Sequence, residues 1–377
     1  MKIGIVGVGQ TKHEGKKPKQ IFADMIFEVV TKAFDDAGME RDDVDNVVTI
    51  SNDFWDGRTI SSMAVMDASG SVGRDVTTVE GDGTFGTVMG VMRTMAEFDT
   101  TVVCAHAKIS ECNPRAVFNC AFDPIYERIL GLDAISSSAL QARRYMTKYG
   151  ATEEQFAKVS VKNHKNASNN PYAHLPLDIT VEDVLNSKKL ADPLKLLDCS
   201  PVSDGAAAII LAKEDKAKEI SDKPIWINGI GYCCDAYHLG DRDLAETAAL
   251  RNAAERAYNM AGISNPLKEI DVAEVYDAFS YMEPMWIEGL GFCKKGQGGK
   301  FVEEGVTEMD GQLPVNPSGG VLSAHPVLVA GLVRLIEGVL QLRGEADTRQ
   351  VSDAEVALAH GINGPCGQSH CVFVLGR

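Results

Sequence analysis

Blocks of apolar and polar residues along the chain predict strands and helices that occur twice in the same order. The apolar run Ile3–Gly9 returns as Ile225–Gly231, and each run predicts a buried strand that leads into a glycine turn. Apolar residues at helical spacing follow in the first half, from Phe22 to Phe34. Helix-forming residues follow in the second half, over Leu244–Ala261. Both helices are predicted to end at an Ala-Gly pair, with glycine as the first residue beyond the helix.

The repeat continues through the rest of both halves. Thr78–Gly83 predicts a strand, a glycine turn and a long helix, and Val315–Gly320 predicts the same, with its helix from about 327 to 342. The strands Thr101–His106 and Glu355–His360 complete the parallel. Two copies of one strand and helix alternation predict two packed α/β halves.

One stretch, residues 112–195, interrupts this pattern. It carries its own helix, opened by a capping box at Thr152–Gln155, and a polar loop over Asn163–Pro171. Ser203–Leu211 then supplies a turn and an apolar strand that complete the first half. We therefore expect a first half over 1–111 and 196–222, an inserted loop domain over 112–195, and a second half over 223–377.

Charge and composition exclude several function classes. The chain has 37 Lys and Arg residues against 53 Asp and Glu, a formal charge of −16, which disfavours a nucleic-acid-binding role. No apolar run is long enough to predict a membrane span, and the start of the chain does not resemble a signal peptide, so we expect a cytoplasmic protein. The nine cysteines are expected to be reduced thiols, and none shows zinc-ligand spacing.

Several motifs, in this order, resemble those of the thiolase superfamily, in its sterol-carrier-thiolase-like and archaeal branch. They are Asn163-His164 with Asn169–Pro171, Pro201–Ala208, Asp277-Ala278-Phe279, Asn316–Gly320, and His325-Pro326. The resemblance covers nearly the whole chain. It implies a five-layered αβαβα fold, a homodimer, no covalently bound cofactor, and a coenzyme A thioester as substrate or ligand. It also implies substrate or CoA contacts at Asn316, Ser318, Gly319, Gly320 and Phe279.

The chain departs from this family where the family places its nucleophilic cysteine. A cysteine at a helix N-terminus is favoured as a thiolate there and takes the acyl group covalently. The matching position is Gly83, which has no nucleophile. Its neighbours Asp82 and Thr84 are poor substitutes, because a hydroxyl needs an adjacent base to attack. A tight turn alone would also explain Gly83.

Two residues retain chemistry that a reaction at a thioester needs. His325 matches the family's Gly-His-Pro histidine, which activates the nucleophile and contributes to an oxyanion hole. We expect it at a helix N-terminus, which would lower its pKa and favour a neutral base. Tyr276 stands where related enzymes often have His or Asn, and its hydroxyl can donate a hydrogen bond or move a proton. Packing against Phe279 is the alternative for this tyrosine.

Other residues are weaker candidates. Asp277 follows Tyr276, and Cys366 lies in a C-terminal loop that resembles the family's glycine-rich active-site loop, although Asn363 comes closer to the position of the family's cysteine. His360 and His106 end equivalent strands, and buried structural roles are the simpler interpretation of both.

Three functions remain open at this point. The first is a C–C lyase of the retro-aldol type, similar to thiolase-like steroid side-chain aldolases that lack the cysteine and work with a small zinc-ribbon/OB-fold partner. The second is thiolysis or acyl transfer by direct attack of a CoA thiolate. The third is a non-catalytic subunit that binds acyl-CoA or scaffolds an active partner, such as a second thiolase subunit. The absence of the nucleophilic cysteine fits the non-catalytic subunit, whereas the retained His325 fits it less well.

Overall fold

The computed structural model describes residues 2–377. The first half contains the elements listed here in chain order: β1 (Ile3–Gln10), α1 (Phe22–Ala37), β2 (Asn46–Ile50), α2 (Asp53–Asp56), α3 (Met66–Ser69), β3 (Asp75–Val79), α4 (Gly83–Ala96) and β4 (Thr100–Lys108). The inserted segment contributes α5 (Pro114–Cys120), α6 (Ala134–Tyr149), α7 (Glu153–Ala167), α8 (Val181–Asn186), β5 (Lys189–Ala191) and β6 (Leu194–Lys195). The chain then returns to the first half with β7 (Asp204–Lys213) and α9 (Glu214–Ile220).

The second half repeats the first. Its elements are β8 (Ile225–Cys234), α10 (Ala248–Ala261), α11 (Pro266–Glu269), β9 (Val272–Glu274), α12 (Met282–Gly289), α13 (Gly298–Glu303), α14 (Gly320–Ser323), α15 (Ala330–Arg343), β10 (Val356–Asn363) and β11 (Ser369–Gly376). The predicted glycine ends of α1 and α10 are confirmed, since Gly38 and Gly262 adopt left-handed φ angles of 64° and 75°.

The strand order shows the internal repeat directly. The sheet runs β3-β2-β4-β7-β1-β8-β11-β10-β9, so the order in the second half mirrors that in the first. The halves join where β1 pairs with β8 through only two residue pairs, Gly4 with Trp226 and Ile5 with Ile225. The counterpart of β3 is reduced to one bridge between Ala273 and Val315, because Asn316 turns left-handed with φ 54° and Pro317 follows.

The five predicted layers are present. Helix α1 covers the outer face of the first half-sheet, and α10 covers the outer face of the second. Helices α4 and α15 pack against each other and against strands of both half-sheets, which makes them the central layer. The thiolase-like α/β architecture expected from the sequence is therefore confirmed.

Two sequence predictions need correction at their edges. Helix α10 begins at Ala248 rather than Leu244, because Asp243 accepts the Ala245 N–H and fixes a turn before the helix. The helix predicted from about 327 starts with a short 3-10 turn, and α15 proper begins at Ala330. The capping box at Thr152 and Gln155 is confirmed.

The inserted segment stands outside the nine-stranded sheet. It consists of four helices and the small hairpin β5–β6. Its boundaries at 112 and 195 remain a prediction. None of the helices within residues 2–377 combines the length and the apolar character that crossing a membrane would need.

Candidate active site

A cleft of about 920 Å³ opens where both halves meet the inserted segment. Its walls come from the turn before α4, from α5 and the start of α6, from the segment before β7, from the turn between β9 and α12, from the loop before α15, and from the loop between β10 and β11. Four residues predicted from the sequence line this cleft: Tyr276, His325, Phe279 and Cys366. The fold thus brings together side chains that lie far apart in the chain.

Tyr276 and His325 form a hydrogen-bonded pair in the cleft wall. The Tyr276 Oη atom lies 2.7 Å from His325 Nε2, and the two rings meet edge to face. The backbone of Tyr276 is fixed on both sides, since its N–H donates to His360 Nδ1 at 3.3 Å and its carbonyl accepts from Trp286 Nε1 at 2.8 Å. The phenol therefore has little freedom to leave the histidine.

The imidazole of His325 is held by a serine on its far side. Ser200 Oγ lies 3.0 Å from His325 Nδ1. The backbone of His325 is tied twice to Ser203, whose Oγ accepts the His325 N–H at 3.1 Å and whose N–H donates to the His325 carbonyl at 3.0 Å. With Tyr276 donating to Nε2, we assign the ring proton to Nδ1, where it donates to Ser200.

Burial keeps both members of the pair neutral. It lowers the pKa of His325 to about 4, so the direction expected from the sequence is right, but the cause is burial rather than a helix end. Burial, followed by the negative charge of Asp82, raises the pKa of Tyr276 well above its usual value. A neutral phenol that donates to a neutral imidazole can pass its proton to that imidazole while the pair as a whole keeps its net charge.

Position 83 has no room for a side chain. A Cβ atom added to Gly83 would lie 2.7 Å from the backbone N of Leu332 and still closer to its Cβ. Leu332 belongs to the first turn of α15, so the obstacle is backbone as well as side chain. Gly83 therefore lies where the two central helices, α4 and α15, approach each other too closely for a side chain to fit between them.

Two of the cysteines that line the cleft, Cys366 and Cys199, are not poised as nucleophiles. Cys366 lines the cleft, and burial raises the pKa of its thiol to about 11. Burial also raises the pKa of Cys199, which lines the same cleft. A raised pKa lowers the thiolate fraction at neutral pH, and the thiolate is the reactive form.

His360 and Asp277 lie behind the cleft wall. His360 accepts the Tyr276 N–H, and its other ring nitrogen is 2.9 Å from His370 Nδ1. Asp277 is fully buried and accepts from Val321 N–H and Asn163 Nδ2, both at 2.6 Å. Burial, followed by the neighbouring carboxylate of Glu283, raises the pKa of Asp277 to about 8. Both residues support the turn that carries Tyr276.

The other candidates lie away from the cleft. His106 Nε2 is 3.1 Å from both carboxylate oxygens of Asp56, and its ring stacks on Phe22. The segment Asn316–Gly320, expected from the resemblance to contact CoA, is buried and bonded to protein groups. Asn316 Oδ1 accepts the Val275 N–H at 2.7 Å, and Ser318 Oγ donates to Glu274 at 2.7 Å. Gly319 and Gly320 are buried beside them, so the structure places this segment in the core between the layers.

Sequence reasoning missed two residues of the cleft wall. Ser200 contacts His325 across 125 positions of sequence, and no local pattern marks it. Asp82 was considered only as a nucleophile, whereas its carboxylate lies at the start of both central helices. Within residues 2–377, no group of three or more His, Cys, Asp or Glu side chains has the arrangement of a metal site.

Comparisons with known proteins agree with this architecture. The family model described as "Thiolase, N-terminal domain" matches residues 127–215, and "Thiolase C-terminal domain-like" matches residues 231–377. An acetyl-CoA acetyltransferase of Methanothermobacter thermautotrophicus is 40% identical over 384 residues, which span 100% of this chain and 99% of that protein. A benzoylsuccinyl-CoA thiolase subunit, BbsB, of Thauera aromatica is 35% identical over 243 residues, 64% of this chain and 63% of that protein.

Solved structures show the same fold. The structure of an Ltp2-ChsH2(DUF35) aldolase matches 100% of this chain and 97% of that chain, with a TM-score of 0.85 and 27% identity. Human mitochondrial 3-ketoacyl-CoA thiolase matches 100% of this chain and 98% of that chain, with a TM-score of 0.75. At 16% identity, the second match speaks for the fold alone.

Proposed function

Because the chain belongs to the thiolase superfamily, whose enzymes carry out C–C chemistry on CoA thioesters, we propose that it cleaves a 3-hydroxyacyl-CoA by a retro-aldol reaction without an acyl-enzyme. The observation that carries the proposal is the Tyr276–His325 pair, with Oη and Nε2 2.7 Å apart in the cleft wall. The close contact of Leu332 with Gly83 supports a mechanism without a covalent step at that position. The reaction that we propose relies on acid–base chemistry.

The reaction needs no co-reactant. Tyr276 accepts the proton of the β-hydroxyl while passing its own proton to His325 Nε2. The O–H electron pair forms the new carbonyl, and the pair of the Cα–Cβ bond moves onto the thioester as an enolate. The carbonyl product leaves, and the α-carbon takes up a proton to give the shorter acyl-CoA. One hydroxyacyl thioester thus yields one aldehyde or ketone and one acyl thioester, and no free CoA is consumed.

The cleft favours an apolar acyl group. Aromatic and aliphatic side chains make up much of its wall: Phe54, Trp55, Val117, Phe118, Phe122, Ile135, Phe279, Met282, Leu328 and Ile362. A mostly apolar cleft with few polar groups is typical of small-molecule sites, and the polar groups orient the ligand. We place the reacting carbons beside Tyr276 and the remainder of the acyl chain against this wall.

The cleft has little positive charge with which to bind the phosphates of a CoA thioester. Among the described residues that line it, Arg115 is the one Lys or Arg, and it is paired with Asp133 at 2.7 Å. Glu80 adds negative charge. A CoA thioester carries phosphates, so we propose that a partner subunit supplies part of the positive charge. The solved Ltp2-ChsH2(DUF35) aldolase, whose name joins two components, supports a second subunit. We propose that this subunit is small and of the zinc-ribbon/OB-fold kind.

We also propose that the chain forms a homodimer through β3. This strand ends the sheet and pairs only with β2, so one row of its backbone groups is unpaired. Val76 on β3 is 37% exposed, and Met92 and Met95 on the adjacent α4 are 49% and 46% exposed. Pairing with a second copy would cover both features.

Thiolysis is the second candidate, favoured by the 40% identical acetyl-CoA acetyltransferase. In that reaction a CoA thiolate attacks a 3-oxoacyl-CoA directly, and the same enolate leaves. His325 would then deprotonate the incoming thiol.

One experiment separates the candidates. The purified chain is incubated, with and without a zinc-ribbon/OB-fold partner, with 3-hydroxyacyl-CoA, and separately with 3-oxoacyl-CoA plus CoA. Release of an aldehyde or ketone with no change in free CoA supports the retro-aldol reaction. CoA-dependent cleavage supports thiolysis instead. Absence of both activities in the presence of the partner, with acyl-CoA binding retained, favours the non-catalytic subunit and contradicts the proposal.

A further inference from the structure

The carboxylate of Asp82 lies in the cleft wall between the first turns of the two central helices. It is 3% exposed and lines the same cleft as Tyr276 and His325. Its Oδ1 accepts from the Thr84 backbone N–H at 3.0 Å and from Thr84 Oγ1 at 2.6 Å. Its Oδ2 accepts the Gly331 N–H at 2.7 Å. The carboxylate therefore binds donors from both halves of the molecule.

Two glycines leave the space that this carboxylate occupies. A Cβ on Gly331, in the first turn of α15, would lie 2.6 Å from Asp82 Cγ. A Cβ on Gly361, in β10, would come closer than 3.0 Å to Asp82 Oδ1. An aspartate that only caps α4 needs donors from its own first turn. Here residues of α4, α15 and β10 all leave space for the carboxylate or donate to it, which indicates a role beyond the cap.

The position suits a proton donor. The carboxyl is buried beside the Tyr276–His325 pair, and burial raises its pKa to about 6, against the effect of its donors. A carboxyl with this pKa is protonated in about half of the molecules at pH 6 and in a minority of them at pH 7, so the acid form is available to the reaction. After the proton leaves, the Thr84 and Gly331 donors and the two helix N-termini stabilise the carboxylate.

We propose that Asp82 is a second acid–base residue of the site, which delivers the proton to the α-carbon of the thioester enolate. This inference rests on the proposed function. In the step, the O–H bond of the Asp82 carboxyl breaks and a C–H bond forms with the electron pair of the enolate double bond. The thioester carbonyl re-forms, His325 releases to water the proton that it took from Tyr276, and Asp82, now a carboxylate, regains a proton from water through the cleft. Tyr276 and His325 act at the β-hydroxyl, so the two proton transfers use different groups.

Microscopic reversibility gives a direct test that does not need cleavage. In D₂O, a residue that protonates the α-carbon also removes its proton, so the enzyme exchanges the α-hydrogens of an unsubstituted acyl-CoA. We would follow acetyl-CoA and butyryl-CoA by NMR and mass spectrometry with the full chain, with and without the partner subunit. We expect wild-type exchange, and a loss of at least about 100-fold in Asp82→Asn. Tyr276→Phe should lose cleavage and keep most of the exchange.

The variants separate chemistry from capping. Asparagine is as good an N-cap as aspartate, so Asp82→Asn keeps the cap without the acid. Asp82→Ser is a second variant, in case the NH₂ group of asparagine faces the Gly331 N–H, where two donors would oppose each other. Serine is also a common N-cap residue. Asp183→Asn is the matched control, because the Asp183 carboxylate accepts from the backbone N–H and the hydroxyl of Thr180 at the start of α8, among residues that do not line the cleft. Melting temperatures establish that each variant is folded.

The outcomes distinguish this inference from the proposed function. Folded Asp82→Asn or Asp82→Ser protein that exchanges at the wild-type rate overturns the role of Asp82 and leaves the retro-aldol reaction intact. If the wild-type protein cleaves its substrate but does not exchange the α-hydrogens, the role of Asp82 is likewise overturned and the retro-aldol reaction stands. Exchange that depends on Asp82 without any cleavage supports the inference and contradicts the proposed function. Absence of both reactions in the wild type overturns both.

Discussion

Leu332, in the first turn of α15, occupies the space that a side chain at Gly83 would need, because a Cβ there would lie 2.7 Å from the Leu332 backbone N. Gly83→Cys is therefore expected to destabilise the protein by about 1–3 kcal/mol or more through overpacking. It should not form an acyl-enzyme detectable by mass spectrometry. Gly240→Cys is the matched control, because a Cβ there meets nothing within 4 Å. A stable Gly83→Cys protein that becomes acylated would contradict this interpretation.

Tyr276 and His325 are expected to act as one unit. Tyr276→Phe keeps the ring and removes the hydroxyl, and it should lower kcat by about 10²–10⁴-fold with little change in melting temperature. His325→Gln should have a similar effect. Because each variant already breaks the same proton path, the double variant should lose little more than either single one. Fully multiplicative losses, measured as kcat/KM on one substrate, would show that the two residues act independently.

Ser200 is expected to position His325. Removing its hydroxyl in Ser200→Ala frees the Nδ1 side of the imidazole, which we expect to lower kcat by roughly tenfold and leave KM nearly unchanged. Ser200→Thr keeps the hydroxyl and should recover much of the rate. Equal rates in the alanine variant and the wild type would remove Ser200 from the mechanism.

Acid should destabilise the protein through its buried histidines. Burial lowers the pKa of His13 to about 3 from 6.5, so the folded state binds fewer protons than the unfolded state between these values. Its stabilising contribution is complete above pH 6.5 and is lost as the pH falls towards 3, by at most about 1.4 kcal/mol per pH unit. His13→Gln should flatten the slope of the unfolding free energy between pH 6 and 4 by this amount.

The comparison with a surface histidine isolates the effect of His13. Asp82 and Asp277 have raised pKa values and titrate with the opposite sign, but they do so in variant and wild type alike. His238→Gln, at a half-exposed site, is the control for the loss of a histidine as such. The unfolding free energies of His13→Gln and of the wild type would be measured by urea titration at several pH values in this range. Equal pH slopes for the two proteins would refute the prediction.

Charge on the edge strand should prevent dimer formation. Val76→Lys places a cation on the unpaired edge of β3, a common way to block edge pairing. We expect light scattering coupled to gel filtration to show a dimer for the wild type and a monomer for Val76→Lys. Met260→Lys changes an equally apolar, 59% exposed residue on α10 and should not alter the mass. A monomeric wild type, or a dimeric Val76→Lys, would exclude this interface.

The sequence predicted the fold well because the repeat is written in short local patterns. Apolar spacing located α1, and the Ala-Gly pairs located the ends of α1 and α10, since these features depend on neighbours within a few residues. Motifs that match a family pointed to Tyr276 and to His325 separately, and the structure then showed that their Oη and Nε2 atoms lie 2.7 Å apart.

The remainder of the site depends on contacts that no local pattern encodes. Ser200 meets His325 and Asp82 meets Gly331 only because two distant segments pack together. The turn at Asn316–Gly320 has the small residues of a ligand loop, yet Arg334, on a later helix, bonds to Ser318 and draws the turn into the core. The glycine pattern alone cannot distinguish a loop that approaches a ligand from one that approaches a buried arginine.

Because the pairing between β1 and β8 is short, the geometry of the cleft depends strongly on how the two half-sheets are held together. Only two residue pairs join the half-sheets along this seam, whereas Asp82 comes from the first half and Tyr276 and His325 from the second. The halves are also held by the contact of α4 with α15 and by the bond from Gly331 to Asp82, so a small separation there would move these groups apart while each half kept its helices. Loss of turnover should therefore precede loss of circular dichroism under mild denaturant, and catalysis becomes the most sensitive measure of how the two copies of the repeat are held together.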